Sequence, residues 1–120
     1  MHKPVDIRYR HMEPSPALTS RIHAEVEELE RLCGDLVSCR VTVEQPHHHQ
    51  RQGNAFRVMI DVHAASIELV VGHTHRDSGT FEDAHRAVAA QFEVVRRRLV
   101  DALAQRRDHQ LDKGLSHRSA

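Results

Sequence analysis

Three stretches of alternating apolar and polar residues lie between two stretches whose apolar residues recur at helical spacing, and that order restricts the chain to very few folds. In residues 37–45, Val37, Cys39, Val41 and Val43 fall on one side, with Ser38, Arg40, Thr42 and Glu44 on the other. Residues 54–64 repeat the pattern, with Phe56, Val58, Ile60 and Val62 set against Arg57, Met59, Asp61 and His63. The segment "HAAS" turns the chain into "IELVVG", where Ile67, Leu69 and Val71 share a side. A fourth alternation precedes them at "PVDIRYR", residues 4–10, with Val5, Ile7 and Tyr9 opposite Asp6, Arg8 and Arg10. Each such stretch reads as a strand with one wet face.

The flanking segments have the other period. Leu18, Ile22, Val26, Leu29 and Leu32 form one helical stripe. Ser15 is placed to cap it, Pro16 suits the first helical position, and Gly34 suits the C′ stop. The second stripe, Ala84, Val88, Phe92, Val95, Leu99 and Leu103, runs on a helix expected from Phe81 to about Arg107. Thr80 can cap it, and Glu82 and Asp83 complement its dipole. "HTHRDSGT", before it, reads as a loop. Residues 1–108 therefore read as one domain, and residues 109–120 as a flexible C-terminal tail.

The order is β-α-β-β-β-α. A strand, a helix and a strand require a crossover, so the first two strands are expected to be parallel neighbours. Short connections make the last three an antiparallel meander. The economical arrangement is an α+β fold of two layers, a four-stranded mixed sheet with both helices packed on one face. The other face then presents Arg8, Arg10, Arg40, Thr42, Arg57, Asp61 and His63. The same topology gathers His11, His47, His48, His49, His73 and His75 at one pole.

Lys and Arg total 17, as do Asp and Glu, so the chain is formally neutral and is no simple polycation. The charge is nevertheless uneven. Residues 21–35 hold two arginines among five acids, whereas residues 94–107 hold five arginines against Asp101. A local positive field is expected that the total hides. Cys33 and Cys39 fall in core-facing patterns and read as small buried apolar residues rather than a bridge. No signal peptide and no run long enough to span a bilayer is present, so a reduced cytoplasmic protein is expected.

Four chemistries compete for these residues. Arg86, Arg97 and Arg107 on the last helix suit phosphate contacts, since a guanidinium offers a fork of donors; they also suit a solvated, helix-stabilising charge set. Arg8, Arg10, Arg40 and Arg57 form a second candidate basic patch, diluted by Asp6, Glu44, Asp61 and Glu68, where ordinary cross-strand pairing is an equal reading. The histidine pole offers His47, His49, His73 and His75 as metal ligands. Consecutive histidines lack ligand spacing, however, so no native metal site and no cofactor is expected. The run "HHH" is internal, unlike a purification tag, and reads as a hydrated surface that gains charge on acidification. No Gly-rich phosphate loop or nucleophile motif is present, and the chain is not expected to be an enzyme.

The frame "RHMEPSPALTSRI", "SCRVTVE", "FRVMIDV" and "FEDAHRAV" resembles the ribosome hibernation-promoting factor family, whose members are also called ribosome-associated inhibitors or sigma-54 modulation proteins. The likeness covers roughly residues 4–107 and is strongest in "MEPSPAL" and at the start of the last helix. It implies the same β-α-β-β-β-α fold and a short-form member without the additional dimerisation domain. It further implies a non-catalytic factor that binds small-subunit ribosomal RNA near the decoding region and inhibits translation in stress. In that light the arginine sets read as RNA contacts, although Ala84, His85, Ala89 and Val94 stand where the family often has Met, Tyr, an acid and Lys. The alternative is a stress-related protein-interaction module of the same fold, docking through its acidic first helix or a sheet edge. A metal-sensing role stands third.

Overall fold

The computed structural model describes residues 3–45, 55–76 and 81–118, with side chains described over 3–45, 56–73 and 84–108. Six elements follow one another: β1 (Asp6–Arg10), α1 (Pro16–Leu32), β2 (Leu36–Glu44), β3 (Ala55–Ala64), β4 (Ile67–Arg76) and α2 (Phe81–Arg118). The sheet order is β1-β2-β3-β4. β1 runs parallel to β2, and the β2-β3-β4 meander is antiparallel. α1 lies against β2 and α2 against β3 and β4, and the two helices touch each other. The expected α+β, two-layer architecture is therefore the one formed.

The expected local chemistry is visible at the start of α1. Ser15 has extended backbone and its side chain accepts a hydrogen bond from the Leu18 N–H at 3.2 Å. Pro16 follows at the first helical position, where its missing N–H is no loss. Tyr9 ties this cap to β1, because its hydroxyl donates to the Ser15 carbonyl at 3.1 Å and lies 2.7 Å from Thr19 Oγ1. The sharp exit from β1 falls on His11, which has a positive φ of 57°.

The core is built from the apolar faces read from the sequence, except that Leu32, at the end of the α1 stripe, is exposed at 38%. Leu18, Ile22 and Leu29 of α1, Val41 and Val43 of β2, and Val58, Ile60 and Val62 of β3 have no exposed surface. Neither do Val88, Phe92, Val95 and Leu99 of α2. Burying each such side chain is worth roughly 1.5–3 kcal/mol. Cys33 and Cys39 are both free thiols within this core.

Four local expectations need correction. Leu36, not Val37, is buried at the start of β2, because a register irregularity between Leu36 and Ser38 takes Val37 out of phase. Gly34 does not take the left-handed conformation of a C′ stop; α1 ends on the extended residue Cys33, and a turn returns the Leu36 N–H to the Cys33 carbonyl. The segment 73–76 is strand and not loop, since β4 stays paired to β3 as far as Arg76 opposite Ala55. α2 continues to Arg118, well past the expected end near Arg107. Residues 109–118 contain no proline, and nothing in them obliges the helix to stop. His11, His73 and His75 do share one pole, as expected, but are spread across it. His11 follows β1 and His73 and His75 lie on β4, so opposite edges of the sheet hold them, about 14 Å apart by strand spacing. His47, His48, His49 and Thr80 lie outside the described residues.

Two measurements follow from this packing. Phe92→Ala is expected to cost about 3–5 kcal/mol in urea unfolding, whereas Ser15→Ala costs about 1 kcal/mol. Burial, and after it the charge of Asp61, pushes the Cys39 thiol up from 9.0 to about 12. The unfolded chain loses that proton first, so stability from this group is intact below about pH 9 and is lost as pH rises toward about 12. Unfolding curves at about pH 8 and about pH 10 are expected to differ less for Cys39→Ala than for the parent chain.

Candidate nucleic-acid interface

Strand register sorts the outward side chains of the sheet into rows. Asp6, Arg40, Asp61 and Val70 form one row, and Arg8, Thr42, Met59 and Gly72 the next. Arg10, Glu44 and Arg57 form a third. On the other side of the first row, Ser38, His63 and Glu68 complete the pattern. Period-two alternation causes this, because every residue between two core residues must face outward.

The rows differ in sign. Toward the C-terminal end of β1, Arg8, Arg10 and Arg57 stand against Glu44. Toward its N-terminal end, Asp6, Asp61 and Glu68 stand against Arg40. Ion pairs sharpen the division. Asp6 Oδ2 lies 3.2 Å from Arg40 Nε and 3.3 Å from an Arg8 terminal nitrogen, so both guanidiniums lean toward one carboxylate. Arg10 and Arg57 have no ion pair to a described residue. Between the two ends, Arg8, Arg10, Arg40, Thr42, Met59 and Val70 line a shallow depression of about 260 Å³. Met59 and Val70 give its floor an apolar character, with Val70 about half exposed at 53%.

The helix arginines stand on the opposite side of the domain. α2 buries the line Val88, Phe92, Val95 and Leu99 against the sheet, and Arg86 and Arg97 project from the far side of the helix, about 20° apart around its axis. Arg107 is turned from Arg97 by about 80°, toward the flank. The seven arginines singled out in the sequence therefore do not form one patch: four stand on the outer sheet face, Arg86 and Arg97 on the opposite side of the domain, and Arg107 on the flank of α2. Arg86 has a partner within the domain. Arg97 and Arg107 are exposed and make no ion pair to a described residue.

Two other arginines of α2 are structural. Arg96 reaches across to α1, with one terminal nitrogen 3.0 Å from Glu25 and 3.3 Å from Glu28, and the other 2.7 Å from Glu93. Arg106 donates to Asp35 at 2.9 Å and to the Ala65 carbonyl at 2.7 Å, tying α2 to the α1–β2 and β3–β4 turns. Hydrogen bonds from the Cys33 thiol and then from Arg106 hold the Asp35 carboxyl below its ordinary range. The same region pushes the Cys33 thiol up, chiefly through burial and then through Asp35.

The candidate metal ligands named in the sequence are not assembled among the described residues. His47 and His49 lie outside them, and His73 and His75 occupy alternate positions of one edge strand. A group that the sequence reading did not single out, Asp61, His63 and Glu68, does have its donor atoms within 4.8 Å of one another. Its signal was the two-residue spacing in "DVH" combined with the hairpin register, which pairs His63 with Glu68.

The comparisons with known proteins come from sequence and from structure. A family described as "Sigma 54 modulation protein / S30EA ribosomal protein" matches residues 5–107. No curated protein sequence matches the chain. Among solved structures, a ribosomal subunit interface protein from Coxiella burnetii superposes with a TM-score of 0.64 at 10% identity, covering 83% of this chain and 97% of that one. The N-terminal domain of Protein Y from Thermus thermophilus superposes with a TM-score of 0.53 at 19% identity, covering 77% of this chain and 93% of that one. At such identities the two structures speak for the shared fold, and the family match speaks for descent. With residues 5–107 of the 120 inside that match, the chain belongs to the Sigma 54 modulation protein / S30EA ribosomal protein family.

Proposed function

We propose that this domain is a non-catalytic ribosome-associated factor that binds small-subunit ribosomal RNA near the decoding region and inhibits translation by steric occlusion. Family membership supports the ribosome as the partner. The observation that carries the reading is the basic end of the outer sheet face, where Arg10 and Arg57 flank Glu44 without an ion pair to a described residue. Structured RNA is recognised largely through its shape and backbone, which suits a face with arginines and no aromatic platform. A neutral chain can bind a polyanion in this way because its acids are spent elsewhere: Glu25, Glu28 and Glu93 on Arg96, Asp35 on Arg106, and Asp6 on Arg8 and Arg40.

The protein-interaction reading loses ground on the same observation. Of the two surfaces it invokes, the acidic α1 face and a sheet edge, the first is reduced, because Arg96 draws Glu25 and Glu28 into the contact between helices.

The proposal is tested by co-sedimentation with purified small subunits over a range of salt concentrations. Binding is expected to weaken linearly in log K against log salt, and a salt-independent interaction would contradict the proposal. Arg10→Ala with Arg57→Ala is expected to reduce the magnitude of that slope by about 1.4–1.8, the loss of two phosphate contacts, with little change in thermal unfolding. Arg86→Ala with Arg97→Ala serves as the comparison. If the helix pair lowers the slope and the sheet pair does not, RNA docks on the helix side instead.

A further inference from the structure

We propose that Asp61, His63 and Glu68 form a binding site for a divalent transition-metal ion of the zinc type, at the acidic end of the outer sheet face. The three residues come together through the β3–β4 hairpin. Asp61 and His63 are two apart on β3 and so project from the same face, and Glu68 is the register partner of His63 on β4. A tight connection, with Ala64 paired to Ile67, holds the two strands in that register.

The donor geometry is close to what an ion requires. His63 Nε2 lies 2.9 Å from Asp61 Oδ1 and 3.9 Å from Glu68 Oε1. A metal held at about 2.0–2.2 Å from imidazole nitrogen and carboxylate oxygen separates neighbouring donors by roughly 3.0–3.5 Å. The Asp61–His63 edge is already near that spacing. The Glu68 edge needs to shorten by a few tenths of an ångström or more, and its side chain is free to do so at 67% exposure.

Asp61 supplies the independent observation. Its Oδ1 is shielded from solvent and has no hydrogen-bond partner, although the His63 nitrogen is 2.9 Å away. The pair is thus close but misaligned for a hydrogen bond, whereas a shared cation needs proximity without that alignment. A buried carboxylate oxygen left without a partner is costly. Arg40, the register partner of Asp61, does not relieve it, because its guanidinium is directed to Asp6. The imidazole selects against calcium and magnesium, which prefer all-oxygen sites, and the two carboxylates balance the charge of a divalent ion.

The chain carries 12 histidines, three of them consecutive at 47–49, so bulk zinc uptake alone does not report this site. The test therefore titrates zinc chloride into the full-length chain with His47, His48 and His49 changed to Ala, following the ring nitrogens by 15N NMR. The His63 Nε2 resonance is expected to move with the first equivalent of zinc. Asp61→Asn and Glu68→Gln are each expected to weaken zinc binding by about tenfold or more while the metal-free chain keeps a cooperative thermal unfolding transition. A His63 resonance that stays in place at one equivalent, or Asn and Gln variants that bind zinc like the parent, would overturn the proposal. This outcome is independent of ribosome binding, which the sedimentation experiment reads separately.

Discussion

The burial of α2 against β3 and β4 is the contact on which the rest of the molecule depends. Val88, Phe92, Val95 and Leu99 are wholly enclosed there, facing Val58, Ile60 and Val62. Once those strands have one face committed, the alternation of a pleated sheet leaves no choice about the other. Arg57, Met59, Asp61 and His63 point outward because Phe56, Val58, Ile60 and Val62 point inward. A slip of one residue would bury an arginine and expose a valine, so the hydrophobic core also sets the positions of the outer charges.

The charged groups that bind the protein to itself are separate from those that remain available. Arg96 and Arg106 sit on the flanks of α2 and reach acids on neighbouring elements. Such half-exposed ion pairs contribute little each to stability. Their larger effect is on the electrostatic surface, since they consume acids that would otherwise offset the outward arginines. A formal charge of zero is thereby compatible with a sheet face that is basic at one end and acidic at the other.

The features legible in the sequence were those fixed by short-range rules. Periodicity gave the six elements and the inward residues, and Ser15 with Pro16 gave the start of α1. Features set by pairing between distant segments were not legible. "HTHR" has no strand-like composition of its own and extends β4 because residues 55–58 continue beside it. The irregularity that turns Val37 aside depends on how β2 meets β3. The same applies to the arginines: their residue type suggested phosphate contacts, but only the layer order reveals that the four on the sheet face away from Arg86 and Arg97. Asp61, His63 and Glu68 are not legible as a group in the sequence, because their convergence depends on hairpin register.

The placement of cationic side chains on both broad surfaces of a thin body has a geometric consequence. The shorter dimensions of the molecule are 25 and 17 Å. Against a flat polyanion only one set can touch, and the other remains in water. Within a crevice of matching width the two sets can meet opposing walls together, and the second engagement then benefits from the first in the manner of a bivalent ligand. A wedge of this kind discriminates by the separation of the walls as well as by their charge.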